Sequence, residues 1–317
     1  MTLSVPPVTG DDDSETIATR LRNGVGLIAV GAHDGLSARL AEHAGADLIW
    51  GSGFEIAAAA GMPDANLLTM TEQLEQCALI ARSVGIPVIA DCDNGFGNAI
   101  NAALTTRRFE AAGIAGMCIE DNAFPKRCSF YEGVGRDLVS ASEHALKVRA
   151  CKEAQRRDDF FLIARTEALI AGAGVAEALD RAGRYADAGA DAVLVHSKKP
   201  DPAQMVEFAR QWSGDVPLVA VPTTYDEVSA AELHRIGYGL VIFANQGLRS
   251  AIRAVEENLR VLLASGRAAD LRDRMVPLSR VFDLVGLEQL RADEAAYLPS
   301  ELTLVPQTLR PSALGGL

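Results

Sequence analysis

No stretch of this chain comes near the roughly 20 consecutive apolar residues of a membrane-spanning helix, so none is expected. The five cysteines, Cys77, Cys92, Cys118, Cys128 and Cys151, include no CxxC pair. That spacing argues against a zinc site, and the odd number argues against a disulfide scaffold. Reduced thiols in the cytoplasm are the expectation. Positive charge is scarce: 30 Lys and Arg stand against 42 Asp and Glu, a formal net charge of −12. Such a surface has no electrostatic reason to attract nucleic acid or an anionic membrane. The opening residues through Asp11-Asp12-Asp13 lack basic, apolar, cleavable order, so no secretion signal is expected.

What the chain does have is core-forming material and a repeat. Of its 317 residues, 49% are hydrophobic, enough for a large α/β domain. An amphipathic segment repeatedly ends in Ala-Gly-Ala-Asp or a variant, and an apolar strand follows. Ala44-Gly45-Ala46-Asp47 leads into Leu48-Ile49-Trp50, and Ala112-Gly113-Ile114-Ala115-Gly116 into Met117-Cys118-Ile119. Ala188-Gly189-Ala190-Asp191 leads into Ala192-Val193-Leu194-Val195. Each glycine is placed to stop a helix just past its end. Further strands read at 27–30, 88–90, 161–164, 218–221 and 240–243, eight in all. Eight βα units point to an α/β fold, a TIM-type (β/α)₈ barrel. The alternative, a doubly wound open sheet, would not need eight such similar units.

Residues 1–22 read as a flexible lead, 23–264 as the barrel and 265–317 as a helical extension and tail. An amphipathic helix is expected over 246–264 and another over 268–285. The extension has apolar surface to bury, and packing on a neighbouring subunit is expected. The tail, with Pro299, Pro306 and Pro311, has little reason to be ordered alone.

In a barrel of this kind the site lies at the C-terminal ends of the strands. The residues there are Ala32-His33-Asp34, Trp50-Gly51-Ser52-Gly53, Asp91 with Asp93, and Glu120-Asp121. Then come Arg165-Thr166-Glu167, His196-Ser197-Lys198-Lys199, Pro222-Thr223-Thr224 and Ala244-Asn245. Asp34, Thr166 and Ser197 have an alternative role as helix caps. Alternation sends Asp91 and Asp93 to the same side of the third strand. Two like charges that close repel unless a cation sits between them. With Glu120 they form a hard oxygen set that suits Mg²⁺ or Mn²⁺. The plainer alternative is one barrel-facing Asp and one turn Asp before Gly95.

Arg165, Lys126, Lys198 and His196 supply positive charge around the same rim. A cation, an arginine and a lysine around one cavity describe a small dianion or trianion, a 2-oxo acid with a second acidic group. A divalent cation there would act as a Lewis acid on an enolate. The Gly51-Ser52-Gly53 turn offers backbone N–H groups to the same oxyanion. Two loops carry more. In 61–66, Asp64 is a candidate nucleophile or electrostatic guide, or else a turn residue after Pro63. The loop 121–138 has the length of a lid that would exclude water. Cys128 in it is a general acid or a bystander, its pKa expected to be lowered by Lys126 and Arg127.

These stretches, together with Pro63-Asp64-Ala65-Asn66, Asp93-Asn94-Gly95-Phe96-Gly97-Asn98 and Phe124-Pro125-Lys126, resemble the phosphoenolpyruvate mutase / isocitrate lyase superfamily. The phosphonopyruvate-handling branch is the most similar. The resemblance implies a barrel whose eighth helix is exchanged between subunits of a dimer or tetramer. It implies Asp91 as direct metal ligand, with Asp93 and Glu120 bound through water. Trp50 would wall the pyruvyl pocket, and Ser52 with the Gly53 N–H would bind the pyruvyl oxygens. Asp64 would stand near a migrating phosphoryl group and Lys126 on a gating loop. Arg165 and His196 would grip the phosphoryl and carboxylate groups, with Asn66 and Ser129 also on the substrate.

The same comparison leaves three reactions. Mutases usually carry Glu-Asp-Lys where this chain has Glu120-Asp121-Asn122, and Asn-Ser where it has Cys128-Ser129. The related hydrolase carries Thr at the Cys128 position. The C–C lyases carry Lys-Lys/Arg-Cys-Gly-His, and this chain shares Lys126-Arg127-Cys128 before reading Ser129-Phe130. Interconversion of phosphoenolpyruvate and 3-phosphonopyruvate ranks first, on Trp50, Ser52, Asp64-Ala65-Asn66 and His196-Ser197-Lys198. Hydrolysis of phosphonopyruvate comes second. Cleavage of a 2-hydroxy diacid with Cys128 as acid comes third. A barrel that only binds, without catalysis, is disfavoured by the intact Asp91, Asp93, Glu120 and Arg165.

Overall fold

The computed structural model describes residues 16–299, apart from 132, 134 and 136. It opens on α1 (Ile17–Arg22), capped by the Thr16 hydroxyl and burying Ile17 and Leu21. The last part of the expected flexible lead is therefore helical, and residues 1–15 lie outside the described ones. The chain continues β1 (Leu27–Ala32), α2 (Gly35–His43), β2 (Leu48–Gly51), α3 (Gly53–Ala59), α4 (Met70–Ser83) and β3 (Val88–Asp91). Next come α5 (Ala99–Ala111), β4 (Gly116–Glu120), α6 (Ala141–Ala154), β5 (Phe161–Thr166), α7 (Gly174–Asp187) and β6 (Ala192–Val195). The series closes with α8 (Ala203–Gln211), β7 (Leu218–Ala220), α9 (Ala230–Ile236) and β8 (Tyr238–Phe243).

Every neighbouring strand pair is parallel, and β8 pairs back onto β1, so the sheet closes as an eight-stranded barrel. This is the expected (β/α)₈ fold. Its strands are buried on both faces, which is why they read as unbroken apolar runs. Trp50, Ile89, Cys118, Ile163, Leu194, Val219 and Ile242 pack together in one cluster. Their neighbours Ile49, Ala90, Met117, Ile119, Leu162 and Ala164 pack in another with residues of the helices. The period of two assigns the first set to the barrel interior and the second to the helix-facing layer. Gly45 shows how the repeat works: it follows the last residue of the α2 cap at φ 93°, where a side chain would be strained. Reciprocal caps start α4 (Thr69 with Glu72), α5 (Asn98 with Asn101) and α9 (Ser229 with Glu232).

Beyond the barrel lie α10 (Gln246–Ser265), a 3₁₀ turn (Ala268–Arg274), α11 (Leu278–Leu284) and α12 (Leu287–Tyr297). The barrel unit runs to Glu256, and Glu257 onward belongs to a second compact unit. The single helix expected over 268–285 is not formed. Pro277, at φ −66°, lacks an N–H and stands immediately before α11, so the segment breaks there. On α10, Ile252, Val255 and Leu259 are exposed at helical spacing. Exchange of a helix between subunits is not visible in a single chain. The proline-rich tail falls outside the described residues from 300 on. Among the described residues no helix is long and apolar enough to cross a membrane.

Candidate active site

The C-terminal mouth of the barrel holds a cavity of about 530 Å³ of empty volume. Asp64, Asp91, Glu120 and Lys126 line it, as do Ser129, Arg165 and His196. Trp50, Phe54, Phe130, Val221 and Ala244 supply apolar surface, and Ser52, Cys128, Thr223 and Asn245 complete it. Residues from seven strand ends, β2 to β8, and two loops thus meet in one place, as the barrel geometry requires.

Asp91 is the last residue of β3, and Gln73 of α4 donates to its main-chain carbonyl. The strand stops there. Asp93 has φ 52° and belongs to a left-handed turn. The expectation that both acids sit on one strand face is therefore corrected; the plainer alternative describes the backbone. Asp93 does not line the cavity. It is ion-paired with the Lys126 ammonium and accepts from Asn66 Nδ2 at 2.7 Å. Burial pushes its carboxyl up to about 8, Lys126 opposes this, and Asp91 and Asp64 add to it. Lys126 also pairs with Asp64 Oδ1 at 2.9 Å. Burial works against its charge, but Asp93 and Asp64 outweigh that and hold the ammonium well above its usual range. Glu120 ends β4 and receives Asn122 Nδ2 at 2.9 Å and Arg165 Nε at 3.2 Å. Burial raises its carboxyl against the pull of Arg165 and Lys126.

These residues fit a divalent cation in a particular way. Among the described residues no three Asp, Glu, His or Cys side chains form a ready-made metal cage. Yet the donors are all hard oxygens, crowded and short of cations, and Gly53 keeps the space beside them open. A Cβ on Gly53 would stand 3.2 Å from Asp93 Oδ1 and 3.5 Å from Asp91 Cγ. One direct carboxylate with water completing the shell suits Mg²⁺, which dehydrates reluctantly.

The opposite wall carries Arg165 and His196. Arg165 on β5 lies in register with Glu120. Its Nε donates to Glu167 Oε1 at 2.7 Å and its Nη2 to Ser129 Oγ at 2.9 Å. Ser129 in turn donates to Glu167 Oε2 at 2.6 Å. His196 Nδ1 lies 2.8 Å from Arg165 Nη2 and 3.1 Å from Glu167 Oε1. Arginine only donates, so the first contact needs Nδ1 bare and the second needs it protonated; they belong to different protonation states. Burial would raise the Glu167 carboxyl, but Arg165 and His196 hold it well below the usual range. Phe130 packs edge-on to His196 at 5.4 Å.

Behind the cavity, Asp121 accepts from Thr166 Oγ1 at 2.9 Å, the Glu167 N–H at 2.8 Å, Arg181 Nη1 at 3.1 Å and Tyr185 Oη at 2.7 Å. This ties the ends of β4 and β5 together. Arg181 and Tyr185 escaped the sequence reading; their signal was polar residues four apart on the buried face of α7. Phe130, Thr223 and Asn245 were legible only as strand-end or loop positions, and Phe54, in α3, was missed.

Several expectations need adjusting. Asn66 and Gly53 do not line the cavity; Asn66 bonds to Asp93 and to the Lys126 backbone instead. The Ser52 hydroxyl lines the cavity but also caps α3 by accepting the Glu55 N–H at 3.3 Å. Lys198 is exposed and outside the cavity. Cys128 is not activated: burial pushes its thiol up to about 11, outweighing Lys126 and Arg165.

The fold and site define a (β/α)₈ barrel protein with acidic and basic residues converging at its catalytic-type face. Residues 18–263 match the family model described as phosphoenolpyruvate phosphomutase. The chain belongs to that family, within the phosphoenolpyruvate mutase / isocitrate lyase superfamily. It is 40% identical to the phosphonopyruvate hydrolase of Variovorax sp. (strain Pal2) over 90% of this chain and 99% of that protein. The crystal structure of phosphoenolpyruvate phosphomutase from Streptomyces platensis subsp. rosaceus superposes with a TM-score of 0.86 at 47% identity, covering 89% of this chain and 99% of that one. A phosphonopyruvate hydrolase in complex with oxalate and Mg²⁺ superposes with a TM-score of 0.84 at 40% identity, covering 89% and 98%.

Proposed function

We propose that this chain interconverts 3-phosphonopyruvate and phosphoenolpyruvate. The observation that carries the reading is the Asp64–Lys126 ion pair lining one cavity with Arg165, Ser129 and His196. The P–C bond breaks to leave a pyruvate enolate and a metaphosphate-like group, and a P–O bond then forms on the enolate oxygen. Arg165 and His196 bind the anionic ends of the substrate, with Ser129 supporting Arg165. Asp64 steers the phosphoryl group, and Lys126 offsets its charge. Trp50 walls the pyruvyl part, while the Ser52 hydroxyl orients its oxygens. Phe130, Cys128 and Lys126 come from the loop after β4 and keep water from the reactive pair. A divalent cation, Mg²⁺ or Mn²⁺, held by Asp91 and through water by Asp93 and Glu120, would supply Lewis-acid stabilisation of enolate charge.

Hydrolysis to pyruvate and phosphate is the second reading, supported by the 40% identity to the Variovorax hydrolase. It needs only a water admitted to the same intermediate, its oxygen going to phosphorus and a proton to carbon. C–C cleavage ranks third. A thiol pushed up to about 11 is a poor match for acid catalysis at neutral pH. A homodimer or homotetramer in the cytoplasm suits the exposed apolar face of α10 and the reduced, buried cysteines. The test is ³¹P NMR of the protein with Mg²⁺ and phosphonopyruvate. A phosphoenolpyruvate signal is expected; free phosphate would assign hydrolysis, and an unchanged spectrum would refute P–C chemistry. Cys128→Ser should leave turnover within about tenfold, whereas loss of a general acid costs about 10²–10⁴.

A further inference from the structure

Asn66 is used for something other than substrate. It lies in the loop between α3 and α4 at φ 53°, a left-handed conformation that Asn tolerates better than most residues. Its Oδ1 accepts the Lys126 backbone N–H at 2.5 Å, and its Nδ2 donates to Asp93 Oδ2 at 2.7 Å. Asn94 Nδ2 reaches the same Oδ1 at 3.4 Å. One small amide thus joins three separate segments: its own loop, the turn after β3, and the loop after β4. Two further bonds run alongside. The Cys128 N–H donates to the Asp64 carbonyl at 3.2 Å, and the Asp64 N–H donates to Tyr131 Oη at 3.0 Å.

We infer that Asn66 is a positioning residue, the clasp that holds the loop after β4 over the cavity and sets Lys126 between Asp64 and Asp93. The geometry is specific. Only a side chain with an acceptor and a donor on one short planar group can meet a backbone N–H and a carboxylate at once. The left-handed backbone is what turns that group toward both. Lys126 is then placed by its own main chain, so its long, flexible side chain reaches the two acids with less freedom to lose. The inference concerns how the loop is held and does not require that the substrate be a phosphonate.

Asn66→Gly tests it, because glycine accepts φ 53° and removes only the amide. Hydrogen exchange of peptides from 122–131 should accelerate about tenfold or more, as expected for two lost hydrogen bonds. Peptides from α5 and β4 should exchange as in the unaltered protein. Asn66→Asp keeps the acceptor for the Lys126 N–H but loses the donor to Asp93, and should restore only part of the protection. With phosphonopyruvate, kcat should fall more than KM changes, and the share of free phosphate among products should rise as water enters. Unchanged exchange in 122–131 would overturn the inference, as would acceleration spread equally over the barrel. If the unaltered protein leaves phosphonopyruvate untouched, the reaction assignment fails, and the exchange result still decides the clasp.

Discussion

Glu120 and Asp121 are consecutive acids at the end of β4, both buried, and their surroundings could hardly differ more. Asp121 faces away from the cavity and collects four donors, from Thr166, Glu167, Arg181 and Tyr185. Glu120 faces the cavity, where Asn122 and Arg165 reach it. Around it Asp64, Asp91 and Asp93 share the single ammonium of Lys126. A carboxylate with a full set of donors is finished as structure. A group of carboxylates with too few donors keeps capacity for a ligand, and buried charge of that kind is retained for chemistry rather than stability.

Two substitutions should pull the layers apart. Asp64→Ala, on the cavity side, should lower kcat by about 10²–10³ while leaving thermal stability nearly unchanged. Asp121→Ala, behind it, should destabilise the fold by about 3–5 kcal/mol because four donors, from Thr166, Glu167, Arg181 and Tyr185, lose their buried acceptor at once, although Arg181 keeps Glu177; chemical denaturation measures this. Equal stability loss in both variants would erase the distinction. A smaller effect concerns His144 in the rear layer, packed edge-on to Tyr185 at 4.6 Å. Burial, aided by Lys147 and Arg181, pushes its imidazole down to about 3 from the usual 6.5. The native state therefore prefers the neutral ring. Its contribution is fully present above about pH 6.5 and is lost as pH falls toward 3, where the unfolded chain alone gains the proton. Between about pH 7 and pH 4.5 this should cost on the order of 2–3 kcal/mol. Denaturation of His144→Leu at both pH values should show a slope smaller by that amount; an identical slope would remove His144 from the rear layer's pH response.

Much of this was legible in the sequence, for reasons tied to individual residues. Gly45 and its counterparts announce where helices stop, and unbroken apolar runs announce strands buried on both faces. Once a barrel is recognised, the residues after each run must share a rim, which placed Asp91, Glu120, Arg165 and His196 together. Other features depend on backbone or burial that no short pattern carries. Asp93 looked like a strand residue because alternation was extended one step past the end of β3. Cys128 looked activated because its chain neighbours are basic, but desolvation outweighs them. Lys198 follows a strand yet points to solvent. Asn66 looked like a substrate ligand, and only the folded loops show it holding Lys126. Pro277 was visible, and its power to break the helix over 268–285 was underweighted.

The central claim is that the underpaired carboxylates take a divalent cation and, with Arg165, hold a pyruvate enolate. Oxalate, a planar dianion with the enolate's pair of adjacent oxygens, reports on this directly by titration calorimetry. Oxalate should bind in the presence of Mg²⁺, and binding should vanish on adding EDTA or in Asp91→Asn. Equal oxalate affinity with and without the cation, or undiminished binding to Asp91→Asn, would contradict the account.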